Sequence, residues 1–151
     1  MDINKIMDML DWNNDEEVQK EGRRLAANVK CLNIFMQPGD ELYNKNVWEN
    51  CALILSEKSD QLLRPYITEL LKWLCDLNWP GSWIILERLK NYQDYEWLAY
   101  WINACVRVAK AINYDIWLMN MAELLDYEKV ANCLSDEIRG ILEKAKEYLE
   151  D

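Results

Sequence analysis

Apolar residues recur at every third or fourth position along most of this chain, and only seven of its 151 residues are Gly or Pro. That spacing marks amphipathic helices. A β-protein of this length needs many tight turns, and tight turns need the Gly and Pro that the sequence does not supply. The chain is therefore expected to be all-α, with helices joined by short connections. Apolar residues make up 51% of it and charged residues 29%. That is enough apolar material for a folded single domain over residues 1–151, with no need of metals or disulfides.

The periodicity predicts about eight helices. Ile3, Ile6, Met7 and Leu10 share one face of a short first helix with Asp2 as N-cap. Asn14 caps a second, with Asp15, Glu16 and Glu17 in its first turn, where negative charge suits the helix dipole. Its inward residues are Val18, Gly22, Leu25, Ala26 and Val29. Leu32 to Met36 leads into the clearest loop, Gln37-Pro38-Gly39-Asp40. From Asn44 a third helix turns Val47, Trp48, Cys51, Ile54 and Leu55 inward. The fourth carries the pairs Leu62/Leu63, Tyr66/Ile67 and Leu70/Leu71, then Leu74, and is regular from Arg64 with a looser turn ahead of Pro65. After Asn78-Trp79-Pro80-Gly81, Pro80 takes the first position of a fifth helix through Trp83, Leu86, Leu89 and Tyr92.

The sixth, from an Asp94 cap to about Ile112, is apolar on nearly every side through Trp97, Leu98, Trp101, Ile102, Cys105, Val108 and Ala109. That pattern places it at the centre of the core. A seventh runs from Asp115 to Leu125. A long eighth, Tyr127 to Leu149, turns Val130, Leu134, Ile138, Ile141, Leu142, Ala145, Tyr148 and Leu149 inward. Connections this short favour antiparallel neighbours, hence stacked helical hairpins in a HEAT-like α-solenoid or an irregular bundle. Self-similarity is faint: Asp11-Trp12-Asn13 and Asp76-Leu77-Asn78-Trp79 both precede a helix ending in an Arg-Leu pair (Arg24-Leu25, Arg88-Leu89).

Histidine is absent. Its loss removes the commonest general base, the Ser-His and Cys-His nucleophile pairs and most zinc sites. Four scattered glycines leave no phosphate-cradling loop. The carboxylate groups Asp15/Glu16/Glu17 and Asp136/Glu137 belong to the first turns of helices, where the dipole accounts for them. The five cysteines, Cys31, Cys51, Cys75, Cys105 and Cys133, are widely spaced, form no CxxC pair and read as buried apolar filler. No cofactor, no metal and no catalytic residue is expected.

The net charge of −10 disfavours nucleic acid and anionic membrane, because phosphate binding depends on clustered Lys and Arg. It suits a basic protein partner. Met1-Asp2-Ile3-Asn4-Lys5 does not read as a secretory leader. The most apolar stretch, Tyr95 to Ile112, is interrupted by Glu96, Asn103 and Arg107, so no membrane span is expected and the cytoplasm is the expected compartment. Eight Trp and eight Tyr serve first to knit the helices together. Trp79, Trp83, Trp97, Tyr100 and Trp101 could also form an exposed surface ringed by acid, suited to anchoring a protein interface.

Three segments carry a family resemblance: Val47-Trp48-Glu49-Asn50-Cys51-Ala52, Leu63-Arg64-Pro65-Tyr66, and Leu70 through Asp76-Leu77-Asn78-Trp79-Pro80-Gly81. Together they resemble a group of uncharacterised bacterial HEAT-like domains, over about Asn44 to Leu89. Such domains look similar to small immunity-type proteins that neutralise bacterial toxins. The resemblance implies a stoichiometric inhibitor without an active site and nominates no functional residue. The expected function is thus a non-catalytic protein–protein interaction module, with a homodimeric structural module as the alternative and an enzyme of unknown class third. The expected contact surface is Asp94, Glu96, Asp115, Glu123 and Asp126.

Overall fold

A computed structural model describes residues 2–38 and 43–150, the side chains of residues 149 and 150 excepted. Gly39 and Asp40 of the expected loop, and the inward side chain expected of Leu149, lie outside the described residues. The described chain is all-helical, with no strand among these residues.

α1 (Ile3–Met9) is capped by Asp2, whose Oδ1 accepts the Asn4 N–H at 3.0 Å, and it buries Ile6 and Met7. α2 (Glu16–Ala26) begins with Asp15 at the N-cap rather than Asn14. The Asn14 amide is occupied elsewhere, donating to the Asp8 carbonyl at 2.8 Å. The buried face of α2 is Gln19, Gly22 and Ala26, while Val18 is exposed. Gln19 takes the inward place because its amide serves the Trp12 and Asn14 carbonyls (3.2 and 2.7 Å) and its oxygen accepts from Asn50 at 3.0 Å. A buried polar group with its partners in place costs little.

Asn44 caps a 3-10 turn (Lys45–Val47) leading into α3 (Trp48–Ser56), and the five side chains expected to point inward here are all buried. Ser59 caps α4 (Asp60–Leu63), which continues through a 3-10 turn at Arg64–Tyr66 into α5 (Ile67–Lys72). The looser turn therefore lies at Pro65 and not ahead of it. A proline inside a helix removes one N–H donor and crowds the preceding turn, and the rod meets this by changing pitch locally. A further 3-10 turn, Trp73–Cys75, closes the rod.

α6 (Ser82–Lys90) starts two residues after Pro80, with Gly81 at its N-cap in the left-handed region at φ 85°. Pro80 belongs to the turn, where its carbonyl accepts the Trp73 indole N–H at 3.1 Å and Ser82 Oγ donates to the Trp73 and Asp76 carbonyls. Asp76 Oδ1 accepts the Asn78 N–H at 2.8 Å, and Asp11 Oδ1 accepts the Asn13 N–H at the same distance. The faint sequence repetition is thus a repeated Asx turn.

α7 (Tyr95–Ala111), α8 (Asp115–Met121, continued as a 3-10 turn through Asp126), α9 (Glu128–Ala131) and α10 (Asp136–Glu150) complete the chain. The expected single helix from Tyr127 to Leu149 is two. Ser135 Oγ accepts the Ile138 N–H at 3.2 Å and its carbonyl accepts the Arg139 N–H at 2.9 Å. A serine followed by Asp136 and Glu137 is a start signal strong enough to break the run. With α4 and α5 counted as one rod, nine rods lie among the described residues, against the eight expected.

α3 packs mainly on α6, then on the 3-10 turn at Asn33–Phe35 and on α2; α5 packs on α7, α7 on α8, and α10 on α8. The α3–α6 pairing joins two helices that the rod of residues 60–75 separates in sequence. Gly81 permits this closeness: a Cβ there would stand 2.5 Å from Ala52 Cβ. The buried apolar side chains form one contiguous cluster from Ile6 to Ala145.

Candidate functional site

The 17 residues of α7 carry apolar side chains on two sides, and the structure buries one of them. Leu98, Ala99, Ile102, Cys105, Val106 and Ala109 face the core and are buried. At 100° per residue, Trp97, Tyr100, Trp101, Ala104, Val108 and Ile112 fall in an opposing arc about 120° wide. Tyr100 is 60% exposed, Val108 53% and Ile112 61%, with Trp97, Trp101 and Ala104 half-buried. The expectation that this helix is sheathed on all sides is corrected. Asn113, at φ 58°, ends it in a left-handed turn and the chain returns as α8 against the inner face.

The N-terminal end of this outer stripe is an aromatic platform. Trp97 and Tyr100 stack at 6.2 Å with an interplanar angle of 12°, and Trp101 stands edge-on to both at 5.7 and 5.0 Å. The Arg64 guanidinium lies 3.9 Å from the Trp97 ring centroid, its Nη1 donates to Asp94 Oδ2 at 2.6 Å, and the Trp97 indole N–H donates to the Arg64 carbonyl at 3.0 Å. Asp94 Oδ1 also caps α7 by accepting the Trp97 N–H at 3.1 Å. The Arg64 hydrogen bond, then the Trp97 N–H, holds the Asp94 carboxyl below the usual range. A cation over a ring and a capped helix start hold these side chains in place.

The five acidic candidates separate. Asp94 and Glu96 share the aromatic end. Asp115 follows the far end of α7, about 25 Å along the axis at 1.5 Å per residue, and lines a cleft of about 570 Å³ with Lys110 and Lys144. Asp126 accepts from Lys146 at 2.6 Å and lies 4.0 Å from Lys90; the Lys146 bond lowers its pKa. Glu123 is half-buried in the 3-10 turn after α8. Among the other aromatics, Trp79 packs edge-on against Trp48 at 5.6 Å, whereas Trp83 is 55% exposed.

A second groove, about 880 Å³ and open, runs beside Trp83 between the α3–α4 junction and α6. Its charged groups are engaged in structure. Lys58 Nζ donates to the Ala26, Ala27 and Val29 carbonyls at 2.8–3.0 Å, closing the end of α2. Arg88 is paired with Asp60, and Asp60 also accepts the Gln93 N–H at 3.0 Å. Asp15, Glu16, Glu17, Asp136 and Glu137 stand at helix starts, as expected. Among the described residues no three Cys, Asp or Glu side chains gather where a metal ion would sit, and no helix is long and apolar enough to cross a membrane. Cys51 and Cys105 are buried, with burial pushing their thiols to about 12 and about 11. Cys31 and Cys133 are exposed, which corrects the reading of all five as buried filler.

The half-exposed stripe escapes a reading of the sequence because it looks the same as core. The signal that separates the two is the polar file Glu96, Asn103, Arg107 and Lys110, which runs along one flank and divides two apolar faces. Neither a curated protein nor a solved structure matches the chain. One family model, described as a domain of unknown function, DUF5071, matches residues 45–151. That span takes in α3 to α10, the α7 stripe included, and by it the chain belongs to the DUF5071 family of domains of unknown function.

Proposed function

We propose that this chain is a non-catalytic protein-interaction module whose contact surface is the outer face of α7. The observation that supports it is the uncovered stripe from Trp97 to Ile112, headed by three aromatic rings held in place by Arg64 and Asp94. Large, rigid aromatic side chains supply binding energy at low entropic cost. A contiguous exposed apolar surface bordered by charge is how partner sites differ from ordinary protein surface.

The net charge of −10 favours a basic partner at long range by steering the encounter. Close to the stripe the charge is bipolar. Asp94 and Glu96 lie at the aromatic end, Arg107 and Lys110 at the other. An inhibitor of the immunity type, binding a basic toxin one to one, fits the acidic end of this surface. A reducing compartment such as the cytoplasm suits the exposed thiols of Cys31 and Cys133.

The test is affinity capture from lysate of the native host with wild-type protein and with the double variant Tyr100→Glu/Val108→Glu as baits. Both positions are more than half exposed, so the variant is expected to fold with unchanged far-UV circular dichroism and to lose the captured partners. Equal capture by the two baits would overturn the assignment of this surface. Lys at Asp94 is a poorer probe, since it removes the α7 cap and the Arg64 pair together.

A further inference from the structure

We infer that the cleft between the end of α7, α8 and α10 is a binding site for a small amphiphile, an apolar chain with one anionic head such as a carboxylate. The inference does not depend on the outer face of α7 and assigns a ligand to a different part of the surface.

Helical periodicity builds the cleft. On α10, Ile141, Lys144, Ala145 and Tyr148 stand at i, i+3, i+4 and i+7 and share one side, and on α8 Asp115, Leu118 and Met119 do the same. α8 and α10 pack on each other, and Lys110 enters from the last turn of α7. The floor is apolar: Leu118 and Ala145 are buried, Met119 and Ile141 half-buried. The volume of about 570 Å³ falls in the range of small-molecule sites, about 300–1,000 Å³, which are apolar hollows with a few polar groups that orient the ligand.

Charge selects the ligand. Lys110 and Lys144 both line the cleft, both are exposed, and neither has an ion-pair partner among the described residues. Carboxylates are plentiful, 27 against 17 Lys and Arg, yet no ion pair joins even Asp115, in the same lining, to either lysine. Two ammonium groups against one carboxylate make the cleft locally positive on a molecule of net charge −10. Salt screens exposed charges beyond about 8–10 Å, so the lysines dominate what an anion meets once it is seated. A chain lying on the floor displaces water from apolar surface, and a carboxylate at the lysines gains charge-assisted hydrogen bonds. An inorganic anion gains nothing from the floor, and an uncharged alkane nothing from the lysines. An anionic bilayer would have to approach the acidic molecule as a whole.

Calorimetric titration of the full chain with sodium decanoate tests this, with decyltrimethylammonium as the cationic counterpart. Decanoate is expected to bind one to one and the cation to show no saturable binding. Lys110→Glu/Lys144→Glu should weaken decanoate at least about tenfold. Asp115→Asn should tighten it about twofold by removing the one like charge in the lining. All three side chains are exposed, so circular dichroism should not change. Bound decanoate should shift the methyl NMR signals of Met119, Ile141 and Ala145 and leave the rings of Tyr100 and Trp83 unmoved. No binding at millimolar decanoate overturns the inference. Equal affinity for the cationic amphiphile, charge reversal without effect, or shifts that map beside Trp83 or on the outer face of α7 overturn it as well. Vesicles of anionic phospholipid separate a free amphiphile from a lipid surface. No cosedimentation is expected, and cosedimentation without uptake of decanoate would overturn the inference in favour of a lipid surface.

Discussion

Gly81 shows how one residue can carry both a turn and a packing contact. Its φ of 85° is a conformation that side chains with a Cβ adopt only under strain, and the Cβ itself would collide with Ala52. Strain and overpacking each cost on the order of 1–3 kcal/mol, so Gly81→Ala is expected to destabilise the fold by at least about 2 kcal/mol, measured by urea unfolding. A loss under about 0.5 kcal/mol would contradict the close α3–α6 packing. The cysteines divide by burial. Cys31 and Cys133 are expected to react rapidly with a thiol-specific reagent at pH 8, well below the raised values of Cys51 and Cys105. Cys75, half-buried and with its pKa raised by burial, should react slowly. All five should react quickly in denaturant. Rapid native labelling of four or more would show that the core opens. At this scale the sequence was legible where chemistry is local, as at the Asp2 and Asp94 caps. It was not legible at Gln19, because the groups that make a glutamine buriable, the Trp12 and Asn14 carbonyls and Asn50, come together only on folding.

Elements were readable in kind and less so in extent. Helical periodicity marked where helix lies along the chain but ran α9 and α10 together as one, since burial of one face is what stabilises a helix in a domain. The errors fall where a local signal competed with the period. Ser135-Asp136-Glu137 starts a helix within an apolar repeat that continues across it in register, and Pro65 sits inside a rod instead of at its start. α7 is the instructive case, because an apolar residue on a helix reports that a face is covered without saying by what. Gly140 lies in α10 with open space around its Cβ. Gly140→Ala should therefore raise stability by roughly 0.5–1 kcal/mol through helix propensity and a less disordered unfolded chain. That corresponds to a gain of about 2 °C in Tm for a chain of this size. No gain, or a loss, would mean that the outer side of α10 is covered.

At the scale of the whole molecule, a single cluster of buried side chains from Ile6 to Ala145 ties the first 44 residues to the DUF5071 region. The link is polar as well as apolar. The Asn50 side chain on α3 donates to the Leu10 carbonyl at 2.7 Å and accepts from Arg23 of α2 at 2.5 Å. All-helical class followed from composition and period. The order in which the rods pack did not, because α3 meets α6 through a contact that depends on the missing side chain of Gly81. The candidate surface was half legible: Asp94, Glu96 and the neighbouring aromatics stand together, while Asp115 and Asp126 belong to other parts of the surface.

The outer face of α7 is proposed as the surface on which this protein meets a partner. Hydroxyl-radical footprinting tests it directly, comparing dilute purified protein with protein in its native lysate and reading oxidation at each aromatic by mass spectrometry. Tyr100, with Trp97 and Trp101, is expected to lose reactivity in the lysate while the exposed rings of Trp12 and Trp83 keep theirs. Protection at Trp83 or Trp12 with Tyr100 unchanged would contradict it and move the contact surface off α7.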